Sequence, residues 1–180
     1  VAVLILRKIT TTANLTWKQL RNYSLEVCKR FSQDPKLEHK TQNSCFKINE
    51  HLVKNLVNLI PFGFEPKNIL NIAGDDNTNA LLVEHFTNAK IDTIISDKLY
   101  DLVICDQYLH QVNDKKKTAS EISNLIKPDG YLFVRDSDIE SNDDQLLLDI
   151  LHDFYDYITM NSGVYKQQKL NYISKENIKE

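Results

Sequence analysis

The stretch from Leu99 to Asp138 constrains the fold most, because two short apolar runs flank one helical repeat. The first run, Asp101–Cys105 (DLVIC), is bounded by polar residues, as expected for a buried strand of a parallel sheet. Residues 118–126 then carry apolar side chains at helical spacing. Lys127–Gly130 (KPDG) predicts the turn that ends this helix, since proline cannot continue a helix and Asp-Gly favours turns. The second run, Tyr131–Val134, completes a strand–helix–strand crossover, which indicates an α/β fold.

A second strand–turn–helix unit precedes this stretch. Lys67–Ala73 (KNILNIA) predicts a strand, Ala80–Phe86 the start of a helix, and Ile91–Ile95 a further strand. Only 26 residues lie between Gly74 and Asp101. Because a strand–helix–strand unit takes about 30 residues or more, this interval has room for one helix and one strand rather than two of each.

The N-terminal third of the chain predicts mainly helices, after a short apolar run at Val1–Leu6 that could be an edge strand or a segment packed on a partner. Apolar residues repeat at helical spacing from Thr16 to Ser32 and over Cys45–Ile60. We therefore expect residues 1–62 to form a helical segment that packs on an α/β core of residues 63–180. A long helix is predicted over Asp143–Ile158, and we expect the core to be incomplete at its C-terminal end.

Charge and cysteine content limit the kinds of function. The net charge of −3 argues against a strongly basic surface for nucleic acids, although it leaves a local patch open. Three cysteines, Cys28, Cys45 and Cys105, are odd in number and lack metal-ligand spacing. They predict reduced thiols, a cytoplasmic protein and no metal site. No apolar run approaches the length that spans a membrane, so we expect no membrane partner.

The motifs YDLVICDQYLHQVND (100–114) and EISNLIKPDGYLFVRDSD (121–138) resemble the second half of a class I S-adenosylmethionine (SAM)-dependent methyltransferase domain. There, a D-L-V strand, a leucine-His turn, a helix ending in K-P-x-G and a strand follow in that order. The resemblance spans about residues 66–158. It implies a Rossmann-like methyltransferase fold, a mainly parallel sheet with helices on both faces. The spacing before Asp101 leaves open a fold shortened by one strand–helix unit.

A more specific resemblance lies further along the chain. Arg135–Asp138 (RDSD), Leu148–His152 (LDILH) and Tyr155 resemble a methyltransferase subgroup of large DNA viruses that methylates mRNA caps. That subgroup carries R-E-H-D followed by L-D-x-x-H-x-x-Y. The resemblance implies SAM as cofactor and the guanine of an RNA cap as methyl acceptor. It also implies a place in a larger protein complex or polyprotein, in the host cytoplasm or the virion.

The resemblance also implies site residues, which follow the predicted strands. The family's turn after its first strand has the pattern acidic-x-G-x-G-x-G, of which only Gly74 matches a glycine here, and Asn71 stands in place of the acid. An acidic residue after the second strand binds the ribose in the family, and the spacing leaves open whether Asp92 or Asp97 takes that role. The expected cofactor-binding residues are Asn71, Ala73, Gly74, Asp75, Asp97, Asp106 and Gln107, and the expected catalytic residues are Asp106, His110 and Arg135.

These departures support an alternative of a different class. One glycine leaves little room for a cofactor, and asparagine at position 71 cannot supply the counter-charge of an acid. The alternative is a catalytically inactive methyltransferase-like domain that acts as a scaffold or stimulatory subunit of a larger RNA-processing enzyme. A nicotinamide-dependent oxidoreductase is disfavoured, because the turn G-x-G-x-x-G is absent.

Overall fold

A computed structural model describes residues 49–139, 141–159 and 170–172. The chain divides into two compact units, one of Val1–Lys40 with Glu140–Gln168 and one of Thr41–Ile139 with Lys169–Glu180. The second unit contains the sheet. The predicted boundary between residues 62 and 63 stays a prediction, and the predicted helix from Thr16 to Ser32 lies outside the described residues.

The described part of the second unit forms a four-stranded parallel sheet, which confirms the α/β class. Its strands lie in the order β2-β1-β3-β4. Strands β1 and β3 are central, and their side chains are buried on both faces, as expected for a covered parallel sheet. The strand bounds are β1 Asn68–Ile72, β2 Lys90–Asp92, β3 Tyr100–Asp106 and β4 Ile126–Arg135.

Helices cover both faces of this sheet. Helix α1 (residues 49–59) precedes β1, α2 (Asp76–His85) connects β1 to β2, and α3 (Lys115–Ser123) connects β3 to β4. A fourth helix, α4 (Asn142–Thr159), belongs to the first unit and agrees with the predicted helix at 143–158. None of the helices in the described parts of the chain is long and apolar enough to cross a membrane.

Two apolar clusters hold the helices to the sheet. On one face, α1 and α2 pack against β1 and β3, with Val53, Leu56 and Leu82 fully buried. On the other face, Ile122 of α3 packs against a second cluster that includes Tyr100. Burial of each such side chain stabilises the fold by about 1.5–3 kcal/mol relative to exposure. The clusters fix the strand ends in position.

The connection from β2 to β3 contains no helix. Residues 93–99 lead directly from one strand to the other, so one helix and one strand separate β1 from β3, as the spacing predicts. Tyr100 is fully buried at the start of β3. Its hydroxyl donates to Asp92 Oδ2 at 2.9 Å and lies 2.8 Å from Ser96 Oγ. These two contacts tie the short connection to the end of β2. The fold is therefore a Rossmann-like sheet shortened by one strand–helix unit.

Some boundaries differ from the prediction. The strand predicted over Ile91–Ile95 is Lys90–Asp92, and Ile94 is 80 % exposed. The helix predicted over 118–126 begins and ends three residues earlier, and the predicted turn Lys127–Gly130 lies inside β4 as a bulge. The bulge brings Gly130 close to β3: a Cβ there would lie 3.0 Å from the Tyr100 carbonyl oxygen. Glycine at this position permits the close approach.

One carboxylate joins the beginnings of three strands. Asp101 of β3 accepts hydrogen bonds from the backbone N–H groups of Lys67 and Asn68 at 3.0 and 2.8 Å, and from Lys127 Nζ at 2.7 Å. Burial by itself would raise the pKa of Asp101. The ion pair with Lys127 and the two backbone donors outweigh burial, so this pKa is lowered.

Candidate functional site

The strand order reverses between β1 and β3, and ligands of open α/β sheets bind beyond the carboxyl ends of strands at such a point. The residue after each of these strands has a left-handed backbone, Ala73 with φ of 56° and Gln107 with φ of 51°. Non-glycine residues adopt this conformation rarely, and it persists where neighbouring contacts impose it. We call this side of the sheet, where all strands end, the carboxyl edge.

The turn after β1 is held by amide side chains. Asn71 is buried, and its Nδ2 donates to Asn79 Oδ1 of α2 at 2.9 Å. A Cβ on Gly74 would lie 1.8 Å from that same Nδ2. Position 74 therefore requires glycine because the Asn71 amide occupies the adjacent space. The sequence predicts that Gly74 allows a ligand to approach closely. In the structure, the contact that requires glycine at this position is with the Asn71 side chain.

Asp75 begins helix α2 and contacts helix α1. Its Oδ1 accepts from the backbone N–H of Thr78 at 2.7 Å, which is the bond of a helix N-cap. The amide Nδ2 of Asn49 on α1 donates to both carboxylate oxygens of Asp75, at 3.1 and 2.9 Å. The predicted cofactor residue Asp75 thus links the turn, the helix and α1.

The two candidate ribose ligands, Asp92 and Asp97, lie in different places relative to β2. Asp92 is the last residue of β2, beside β1, whereas Asp97 is exposed within the connection 93–99. Asp92 forms an ion pair with Lys98 and accepts from the Tyr100 hydroxyl. The hydrogen bond from Lys98 outweighs the opposing effect of burial and, with that from Tyr100, lowers the pKa of Asp92. Asp92 is therefore ionised at neutral pH.

The ends of β3 and β4 are joined by a two-pronged ion pair. Arg135 Nε and Nη2 donate to the two carboxylate oxygens of Asp106 at 2.5 and 2.8 Å, the geometry of the strongest arginine–carboxylate contacts. Gln107 follows Asp106, its N–H donates to the Arg135 carbonyl oxygen at 2.7 Å, and its Oε1 accepts from Ser137 Oγ at 3.1 Å. Three predicted residues, Asp106, Gln107 and Arg135, are thus in direct contact.

His110 is buried beside this pair and is held by Asp136. Its Nδ1–H donates to Asp136 Oδ1 at 2.7 Å, and its backbone N–H donates to Oδ2 at 3.1 Å. The ring of Tyr172 stacks on the imidazole with centroids 5.3 Å apart, and the Asn171 N–H donates to the His110 carbonyl oxygen at 2.6 Å. His110, with no exposed surface, holds the turn after β3 in place.

The structure brings the predicted residues into two groups at one edge, with Asp97 apart. The first group lies after β1 and the second after β3 and β4. Sequence reasoning missed the partners that position them, since polar residues on a helix or loop carry no signal of which distant carboxylate they contact. The missed residues are Asn49, Asn79, Lys98 and Tyr172. Asp136 and Ser137 belong to the RDSD motif, but their contacts with His110 and Gln107 were not predicted.

A doubly wound parallel sheet whose strand order reverses between its two central strands defines the Rossmann-like class of α/β domain. A family described as a methyltransferase domain matches residues 76–178 of the chain. The chain belongs to this methyltransferase family, and its membership implies SAM as the methyl donor. A search of curated proteins finds no match.

The residues at the carboxyl edge fit SAM in the polar groups that they offer. Asp92 uses part of its four acceptor positions on Lys98 and Tyr100, so it retains capacity for ribose hydroxyls. The turn 73–75 lies at the start of α2, where backbone N–H groups and the helix dipole favour a carboxylate. The site differs from the expected turn at Gly74, where the Asn71 amide fills the space beside the glycine.

Proposed function

We propose that this domain binds SAM at the carboxyl edge beside β1, β2 and β3 and transfers its methyl group to the guanine of an RNA cap. One observation carries the proposal. The strand order reverses between β1 and β3, and each strand is followed by a residue with a left-handed backbone, Ala73 after β1 and Gln107 after β3. Surrounding contacts impose a costly conformation at the two positions that flank the expected cofactor, which is typical of functional sites.

Three parts of the chain would hold the cofactor. Asp92 would accept from the ribose hydroxyls, the backbone of residues 73–75 would bind the amino-acid end, and Gln107 would line the side nearest the acceptor. When bound, SAM supplies a methyl group activated by a positively charged sulfur. The residues of this chain bind and orient the two reactants.

The acceptor is proposed on the resemblance of Arg135–Asp138 and Leu148–Tyr155 to the cap-methylating subgroup. Guanine N7 carries a lone pair, so its methylation needs no general base. Orientation and proximity alone provide large rate accelerations. Asp106 and Arg135 neutralise each other and join the ends of β3 and β4, so we assign them to positioning the acceptor rather than to proton transfer.

Calorimetric titration of the folded protein with SAM, and with its demethylated product, tests the proposal. We expect a dissociation constant in the micromolar range, about −8 kcal/mol. Asp92→Asn should weaken binding about tenfold or more, because a ribose ligand loses its charge, while Asp97→Asn should not. Transfer of labelled methyl from SAM to capped RNA, and not to uncapped RNA, tests the acceptor. Equal labelling of both RNAs would contradict it.

A second function is favoured by a separate observation. The Asn71 amide fills the space at Gly74, and Asp75 is engaged by Asn49 and Thr78. These contacts support the alternative of an inactive methyltransferase-like domain that acts as a scaffold or stimulatory subunit. A folded sample that gives no heat with SAM, and no methyl transfer, would favour this alternative over catalysis.

A further inference from the structure

Residues 73–75 form a strained turn that needs support from outside. Ala73 has a positive φ, and such a conformation persists only where the surroundings determine it. Most hydrogen bonds of the turn are local. The Gly74 N–H donates to the Asn71 carbonyl oxygen at 3.1 Å, and Asp75 caps the first turn of α2. Local bonds of this kind move with the turn and cannot fix its position on the sheet.

Among the hydrogen bonds within the described residues, the contact from Asn49 ties this turn to a distant element. Asn49 lies 26 positions before Asp75 and donates through Nδ2 to both carboxylate oxygens. Asn49 itself is 9 % exposed, and its helix α1 is anchored to the sheet by the buried Val53 and Leu56. The amide is therefore a fixed donor, and Asp75 aligns to it.

The bond involves a charged acceptor, which makes it stronger than a bond between neutral groups. It acts on the same carboxylate that caps α2, so it sets both the turn and the first N–H groups of that helix. The backbone of this turn, residues 73–75, is the part that the proposed function uses for the amino-acid end of SAM.

We propose that Asn49 is a positioning residue for the cofactor, which it serves by holding Asp75 and thereby the turn 73–75 in the binding conformation. The inference rests on the proposed function. Without Asn49 the turn samples other conformations, and the apparent affinity falls in proportion to the fraction that remains competent. Asn49 does not contact the reacting atoms, so its loss weakens binding more than it alters the methyl transfer step.

The test is a set of variants measured by calorimetric titration with SAM and by thermal unfolding. Asn49→Ala should raise the dissociation constant about tenfold, with a small change in melting temperature. Asn49→Asp should weaken binding further, because two carboxylates then face each other. Asn55→Ala makes the same substitution at an exposed position of the same helix and should bind as the wild type does.

A reciprocal exchange separates positioning from general stability. In the double variant Asn49→Asp, Asp75→Asn, the donor and the acceptor trade places. The amide oxygen at position 75 still accepts from Thr78, and its Nδ2 donates to the new carboxylate at position 49. Binding should return to within about threefold of the wild type, since the contact is restored.

The outcomes are distinct. Wild-type affinity in folded Asn49→Ala, equal weakening in Asn55→Ala, or no recovery in the exchanged variant would each overturn the role of Asn49 and leave the proposed function standing. No SAM binding by the folded wild type would overturn the proposed function and this inference with it.

Discussion

Replacing Asp136 by alanine would measure how much a buried carboxylate contributes to the carboxyl edge. Asp136 accepts three hydrogen bonds, from His110 Nδ1–H at 2.7 Å, from the His110 backbone N–H at 3.1 Å and from the Ser137 backbone N–H at 2.7 Å. The side chain of His110 is 0 % exposed and that of Asp136 is 5 % exposed. Both side chains are therefore almost entirely shielded from solvent.

The expected cost follows from these contacts. A buried donor left without an acceptor costs about 1–3 kcal/mol. Asp136→Ala removes the acceptor of two His110 donors and of the Ser137 N–H, so we expect it to lower the free energy of unfolding by about 2–5 kcal/mol. Asp136→Asn keeps one acceptor oxygen and should cost about 1–2 kcal/mol.

Urea unfolding followed by circular dichroism gives this free energy from the midpoint and slope of the transition. Asp129→Ala, in the exposed part of the β4 bulge, is the matched control and should change stability by about 0.5 kcal/mol at most. A loss of under about 1 kcal/mol for Asp136→Ala, or a loss equal to that of the control, would refute the reasoning.

The Asp136 carboxylate also makes the free energy of unfolding depend on pH. Burial would raise the pKa of Asp136, but hydrogen bonds from the His110 ring and from the Ser137 and His110 backbones outweigh it, so the pKa is lowered. A lowered pKa in the folded state contributes stability above the pKa of the unfolded chain, about 4. This stability is lost as the pH falls through the lower folded value. Wild type should therefore lose more stability than Asp136→Asn on acidification below pH 4.

Three further outcomes follow from the same structure. Ala73→Gly should raise the free energy of unfolding by about 1 kcal/mol in urea, because glycine adopts a positive φ without strain; a destabilised variant would contradict the assigned backbone. Gly74→Ala should cost about 1–3 kcal/mol through collision with the Asn71 amide, and this cost should largely vanish in an Asn71→Ala background, as a double-mutant cycle would show. Burial raises the pKa of the Cys105 thiol to about 12, so mass spectrometry should find it unalkylated by iodoacetamide in the native protein and alkylated after unfolding.

The order of elements was predictable from the sequence because each central strand is a short apolar run between polar residues. The strand predicted over Lys67–Ala73 is Asn68–Ile72, and that over Asp101–Cys105 is Tyr100–Asp106. The 26 residues between Gly74 and Asp101 left open a fold shortened by one strand–helix unit, and the direct connection 93–99 between β2 and β3 agrees with it. The bulge at Lys127–Gly130 was not predictable from the sequence, because Pro-Asp-Gly favours a turn in isolation. The close approach to β3, which makes this segment part of β4, is a tertiary effect.

The site was predictable in part. The sequence predicted that Gly74, Asp106 and Gln107 lie at strand ends, and the structure has them at or just after the ends of β1 and β3; their role as site residues stays a prediction. The sequence could not place Asp92 at the end of a strand, because the predicted strand Ile91–Ile95 continues past it. In the structure β2 is Lys90–Asp92, so Asp92 is its last residue. Asn49 could not be found, since its partner lies 26 positions away and an asparagine on a helix resembles any solvated residue.

Asp101 has a consequence for how the strands find their alignment. Apart from Asn71, the buried side chains of β1 and β3 are apolar on both faces, so for most positions a shift of one residue would exchange one buried apolar side chain for another and cost little in burial. Asp101 removes this freedom. Its carboxylate accepts from the N–H groups of both Lys67 and Asn68, and a slip of β1 against β3 by one position would carry at least one of these donors out of reach. A single acid at the far edge of the sheet thus helps to set the register in which Ile72 pairs with Cys105, next to the turns of Ala73 and Gln107 at the other edge.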